Sequence, residues 1–111
     1  MKTYVMITST SANATGEKIQ ADGYYGYADG LHTIAIYNTG LTGRVHLQGT
    51  LASTPVETDW FDINLQANDS HVDYTTDTGI HGYTFQGNFV YLRIKLSNYS
   101  AGSLDKVLLK I

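Results

Sequence analysis

The sequence predicts an all-β fold, two antiparallel sheets packed as a jelly-roll-like β-sandwich of seven to eight strands. Three observations lead there. Apolar residues recur at every second position in nearly every segment, the stretches between are short and rich in Gly, Asn, Asp and Ser, and no segment carries an apolar stripe at helical spacing. One-sided strands need a second layer to cover their apolar faces. A chain of 111 residues can build one such core without a metal or disulfide, so residues 1–111 read as a single domain.

In MKTYVMITST, Val5 and Ile7 share one face and Tyr4, Met6 and Thr8 the other. LHTIAIYN groups Ile34 with Ile36, leaving Thr33, Ala35 and Tyr37 opposite. GRVHLQGTLAS has an inward set of Val45, Leu47, Gly49 and Leu51 and an outward set of His46, Gln48 and Thr50. WFDINLQ sets Phe61, Ile63 and Leu65 against Trp60, Asp62 and Asn64. FVYLRIKLS is the clearest strand, with Val90, Leu92, Ile94 and Leu96 inward and Tyr91, Arg93 and Lys95 outward. Val107, Leu109 and Ile111 form the closing set. TGEK, two ADG triplets, NTGLTG, STPVETD, TDTG, QGN and SAGS read as the turns between strands.

Composition narrows the function. Only 15% of residues are charged while Tyr numbers 9 and Gly 11, so the surface is polar but largely uncharged, which argues against a disordered tail. The net charge of −3 comes without any Lys/Arg cluster to follow a phosphate backbone, which argues against nucleic acid as a partner. With no cysteine the chain has neither disulfides nor a thiolate metal site, and it folds as readily in a reducing as in an oxidising compartment. Apolar runs are a few residues long against the roughly 20 a helix needs to cross a bilayer, so no membrane span is expected. The N-terminal segment alternates like a strand and lacks the apolar centre of an export signal.

Candidate site residues are aromatic. Trp60 is out of phase with Phe61, Ile63 and Leu65, so its indole points away from the main core, where Pro55 and Val56 of the preceding loop are expected to close over it. Packing anchor is the preferred reading, sugar platform the other. Tyr24, Tyr25 and Tyr27 in YYGYADG supply broad, rigid contact area suited to a protein interface or, less readily, to a glycan. Asp69, Asp73 and Asp77 are spaced by four, unlike any calcium loop, and read as solvated turn carboxylates. Of the four histidines, His71 and Asp73 share a strand face and are expected to pair, with His81 reaching them from a neighbouring strand; no spacing supports zinc. The spacing leaves a serine triad open, but no nucleophile elbow accompanies it. The histidines are otherwise read as surface or interface polarity, and no cofactor is expected.

GRVHLQGTLASTPVETDWF, followed by FQGNFVYLRIKLSNYSAGSLDKVLLKI, resembles small virion-associated proteins of tailed bacteriophages, notably phages of cyanobacteria. The likeness lies in a strand ending GTLA, a proline loop leading to DWF, a GNFVYLR strand and a closing GSLDKVLL strand, and it covers Gly43 to Ile111. It implies a β-sandwich module of head, neck, tail or fibre: a non-enzymatic virion protein, first placed as a capsid decoration or cement protein. The implied partners are the major capsid protein or other virion proteins and further copies of the chain. The alternative is a carbohydrate-binding adsorption module of a tail or fibre, contacting a surface glycan through Trp60 and the tyrosines.

Overall fold

β-branched and aromatic residues fill the alternating segments, which favours extended chain, and the strands they build are longer than the local alternation suggests. A computed structural model of the chain describes residues 3–21, 31–64, 71–87 and 89–110. Among these residues seven strands occur in the order β1 (Thr3–Thr10), β2 (Ala14–Thr15), β3 (Ile19–Gln20), β4 (Leu31–Thr50), β5 (Phe61–Ile63), β6 (Val72–Gln86) and β7 (Tyr91–Lys110), with one 3-10 turn at Glu57–Asp59. All pairings are antiparallel. β4 lies between β7 and, on its other side, β6 followed by β5. The far edge of β7 carries β1, β2 and β3 in succession.

The all-β antiparallel expectation holds, but hydrogen bonding joins the strands into one seven-stranded sheet rather than two separate ones. The layering comes from bending. A straight strand of 20 residues would run about 66 Å, whereas the longest dimension of the molecule is 39 Å. The Phe89 ring shows where the chain goes: it meets His32, near the start of β4, at 6.5 Å between centroids, and it also lies against Gly49, near the end of the same strand. β4 therefore doubles back, and its two halves face each other across the interior.

Burial phase records the bend. In β4 the buried residues His32, Ile34, Ile36 and Asn38 have even numbers, and after Gly40 (φ 59°) they become Leu41, Val45 and Leu47. β6 changes from Val72 and Tyr74 to Phe85 across Thr76 (φ 45°). β7 changes from Leu92, Ile94, Leu96 and Leu104 to Val107 and Leu109, where the register against β4 slips between Asn38–Leu104 and Tyr37–Lys106. An extra residue in one strand of a pair flips the side chains that follow, so each flip keeps the apolar face inward through the bend. The buried side chains of both halves join one cluster.

Several expectations change accordingly. NTGLTG, TDTG and SAGS lie within β4, β6 and β7 as bends, because long-range pairing continues through them. Met6 is the buried apolar residue of β1 among the described residues, while a register shift between Val5 and Ile7 leaves Val5 exposed. Leu51, expected inward, is 66% exposed because β4 has ended; Gln48 points outward as expected but is buried by its bonds to Arg93 and Asp62, and Thr50, expected outward, is buried where its carbonyl accepts from the Val90 N–H. His32 is buried and stacked on Phe85 at 5.0 Å rather than lying on the surface. Leu65, Asp69, Ile111 and the three site tyrosines Tyr24, Tyr25 and Tyr27 lie outside the described residues.

Gly102 tests the bend. Its φ is 76°, and a methyl group there would overlap the Gly40 backbone. Gly102→Ala is expected to lower the unfolding free energy by at least the roughly 1–3 kcal/mol of a forced left-handed residue. Gly82→Ala, whose methyl would meet nothing closer than the Ile34 carbonyl at 4.0 Å, should stay within about 0.5 kcal/mol of the parent in the same urea titration.

Candidate functional site

Beyond the bend, strand register sets polar residues side by side on the outer face. Gln48 is opposite Arg93, His46 opposite Lys95 and Arg44 opposite Ser97 across β4 and β7, while Asp62 of β5 is opposite Gln48 and Asp73 of β6 opposite Arg44. Directly opposed side chains share a face at about 4.5–5.5 Å between Cβ atoms. A continuous polar row follows.

One end of the row is the Trp60 corner. Pro55 leads into the turn Glu57–Asp59, which is closed by the Asp59 N–H donating to the Val56 carbonyl at 2.9 Å and the Val56 N–H donating to Asp59 Oδ2 at 2.8 Å. The turn delivers Glu57 and Trp60 to Arg93. Arg93 Nη1 and Nη2 donate to the two Glu57 oxygens at 3.2 and 2.8 Å, its Nε donates to Gln48 Oε1 at 2.8 Å, and its Cζ lies 4.2 Å from the Trp60 ring centroid. The Arg93 side chain is 9% exposed and that of Glu57 78%. The planar Arg93 fork is bonded on its edges and stacked on its face at once, which a compact ammonium cannot reproduce. The hydrogen bond from Arg93 holds the Glu57 carboxyl below its ordinary range.

From Gln48 the row continues. Gln48 Nε2 donates to Asp62 Oδ1 at 3.1 Å, Asp62 Oδ2 faces His46 Nδ1 at 3.3 Å, and His46 Nε2 lies 2.7 Å from Ser97 Oγ. Burial lowers the His46 pKa against the opposing pull of Asp62, and His71 and Lys95 lower it further. His71, its ring 5.5 Å from that of His46, meets Asp73 at 3.5 Å, and Arg44 Nε donates to the same carboxylate at 2.8 Å.

A second polar cluster belongs to the bend. Asn38 Nδ2 donates to Asp77 Oδ2 at 2.9 Å, His81 Nε2 lies 2.7 Å from the same oxygen, and the Tyr74 and Tyr83 hydroxyls are 3.3 Å apart. The Asn38 bond lowers the Asp77 pKa, and burial raises that of Tyr74.

These positions revise the site expectations one by one. Trp60 does point away from the core, and the guanidinium of Arg93 stacks on its ring; Val56 is 61% exposed. Pro55, Val56 and Trp60 instead line a cleft of about 280 Å³ with Glu17, Lys18 and Arg93. His71 and Asp73 pair as expected, whereas His81 binds Asp77 in its own strand. Asp73 and Asp77 lie within β6, each bonded to side chains of β4, rather than in solvated turns. Among the described residues no three His, Asp or Glu side chains converge as metal ligands. Arg93, Gln48 and the His46–Ser97 contact escaped the local reading; only the β4–β7 register identifies them.

No family model matches the chain, and no curated protein matches it in sequence. In structure it is similar to the SPBc2 prophage-derived protein YomS, with a TM-score of 0.60 over 97% of this chain and 88% of that one at 9% identity. The likeness is one of fold, and it spans nearly the whole chain.

Trp60→Ala is expected to lower stability by about 3 kcal/mol, the low end for loss of a large aromatic, because the indole is half-buried. Arg93→Lys should also destabilise, since it keeps the charge and loses the fork; thermal unfolding of both variants checks this. A second expectation concerns pH. His46 has a folded pKa below 6.5, so the unfolded chain takes up that proton first, and stability begins to fall as pH drops below 6.5. Glu57, Asp73, Asp77 and Asp105 have depressed folded pKa values, so their contribution is present above the ordinary carboxylate range and lost as pH falls through the folded values. The melting temperature should decline in two stages, and His46→Gln should remove the upper one.

Proposed function

We propose that this chain is a structural protein of a bacteriophage particle, bound in many copies to the virion surface, with decoration or cementing of the capsid as its role. Attachment of this kind needs no catalysis. The observation that carries the reading is fold likeness to a prophage-derived protein over 97% of the chain. A second feature supports attachment: among the described residues three of the five large exposed apolar side chains, Leu51, Val56 and Phe61, lie on or beside the connection from β4 to β5. Apolar groups gathered in this way favour a protein contact. Repetition across a symmetric lattice of major capsid protein, or through copies of the chain itself, multiplies a modest contact into firm attachment.

The second reading is a carbohydrate-binding adsorption module. It draws on the cleft in which Trp60 stands with Glu17, Lys18 and Glu57. The Arg93 guanidinium stacks on the indole, and the cleft that Trp60 lines would take a sugar ring.

A mass-spectrometric inventory of purified particles of the encoding phage tests the first reading. Peptides of this chain at a copy number commensurate with the capsid lattice are expected, and Leu51→Ser with Phe61→Ser should reduce that number. Absence from purified particles would overturn it. Retention on host polysaccharide that Trp60→Ala abolishes, with the melting temperature unchanged, would establish the second reading in its place.

A further inference from the structure

We propose that Ser97, His46 and Asp62 form a nucleophilic site on the outer face of the sheet, able to take a short acyl group from an ester and pass it to water. This goes beyond attachment, which uses the β4–β5 connection, and it stands or falls separately. No motif marks the site: Ser97 lies in KLSNYS, without a nucleophile elbow. Three strands assemble it, with Ser97 from β7, His46 from β4 and Asp62 from β5.

The order of contacts is that of a serine relay. Asp62 Oδ2 faces His46 Nδ1 at 3.3 Å, and His46 Nε2 lies 2.7 Å from Ser97 Oγ. A carboxylate accepts only, so the proton of the neutral ring resides on Nδ1 and the Nε2 lone pair is turned to the serine hydroxyl. Gln48 Nε2 bonds the other Asp62 oxygen and Arg93 Nε holds Gln48, so the carboxylate is fixed from behind. The charged and titratable groups facing His46 are Asp62 of β5, His71 before β6 and Lys95 of β7; with burial they leave the ring neutral near neutral pH, the state in which it accepts a proton.

Ser97 occupies the last regular position before Asn98, whose φ of 52° turns the chain into the bend. It is half-buried and reachable. Lys95 is opposite His46 in register, so developing negative charge on a carbonyl oxygen would meet its positive charge, while Arg44, opposite Ser97, is held by Asp73. These polar neighbours suit a short acyl group, such as acetyl, on a hydrophilic alcohol. Ser97 Oγ bonds to the ester carbonyl carbon while its proton passes to His46 Nε2. The bond to the alcohol oxygen breaks as that oxygen takes the proton. Water then attacks the acyl-serine, giving one proton to His46 and on to Ser97 Oγ, and the carboxylic acid leaves.

The chain has no cysteine, which permits a direct test. Ser97→Cys introduces a single thiol, and its rate of alkylation by iodoacetamide reports the thiolate fraction. With His46 beside it, the rate at about pH 6.5 should exceed that of Ser97→Cys combined with His46→Gln by about tenfold or more, the effect of lowering a thiol pKa by at least about one unit. Circular dichroism establishes that both variants are folded. In the unaltered chain a fluorophosphonate probe should add to Ser97, located by peptide mass spectrometry, and His46→Gln should slow that addition. Equal alkylation rates in the two thiol-bearing chains, or a Ser97 that the probe leaves unmodified, would overturn the proposal and leave Ser97 as a hydrogen-bond partner of His46.

Discussion

The bend shared by β4, β6 and β7 is the constraint on which the rest of the molecule depends. Long strands give extensive pairing, but a flat sheet would leave an apolar face in water. Folding the sheet over itself covers that face and interrupts the backbone ladder at the crease. At the exposed crease small polar side chains bond where the ladder stops. Thr78 Oγ1 accepts from the Gly40 N–H at 2.8 Å, Thr42 Oγ1 accepts from the Thr76 N–H at 2.9 Å, and Thr39 Oγ1 donates to Asp105 Oδ2 at 2.6 Å. The Tyr99 hydroxyl donates to the Gly102 carbonyl at 2.6 Å. The crease is thus held by Thr, Asp and Tyr side chains where the ladder gives way.

Because β4 and β7 are paired on both sides of the crease, their register is over-determined. A slip of one residue would turn Val45, Leu47, Leu92 and Ile94 to solvent. The same register aligns Gln48 with Arg93 and His46 with Lys95 on the opposite face. Core packing and the polar row are therefore two consequences of one pairing. This explains how a chain with few charges places a guanidinium at low exposure: Arg93 occupies an outward position, and Glu57, Gln48 and Trp60 are brought to it by the β4–β5 connection and β4 itself. The stacked cation contributes on the order of 1 kcal/mol, and its greater effect is to define where the loop sits.

A rigid outer face and an exposed apolar connection suit different tasks. The connection from Leu51 to Phe61 has the character of a contact surface, with Leu51, Val56 and Phe61 in water. The relay from Glu57 to Ser97 is ordered by hydrogen bonds along its length and holds polar groups in fixed orientations. The first offers apolar area, the second a fixed polar geometry.

Local alternation was enough to establish the all-β class, the inward sets Ile34–Ile36, Val45–Leu47, Leu92–Ile94–Leu96 and Val107–Leu109, and the outward direction of Trp60. Each of these depends on period two, which neighbouring residues carry by themselves. The tertiary structure decided what no window of neighbours contains. Glycine-rich NTGLTG has the composition of a turn, and it stays inside a strand because β6 and β7 flank β4 on both sides of it. Arg93 and His46 look like ordinary outward residues until register sets Glu57, Gln48, Asp62 and Ser97 against them. Side-chain direction is a local property of the strand, whereas the partner it meets is chosen by pairing between segments tens of residues apart.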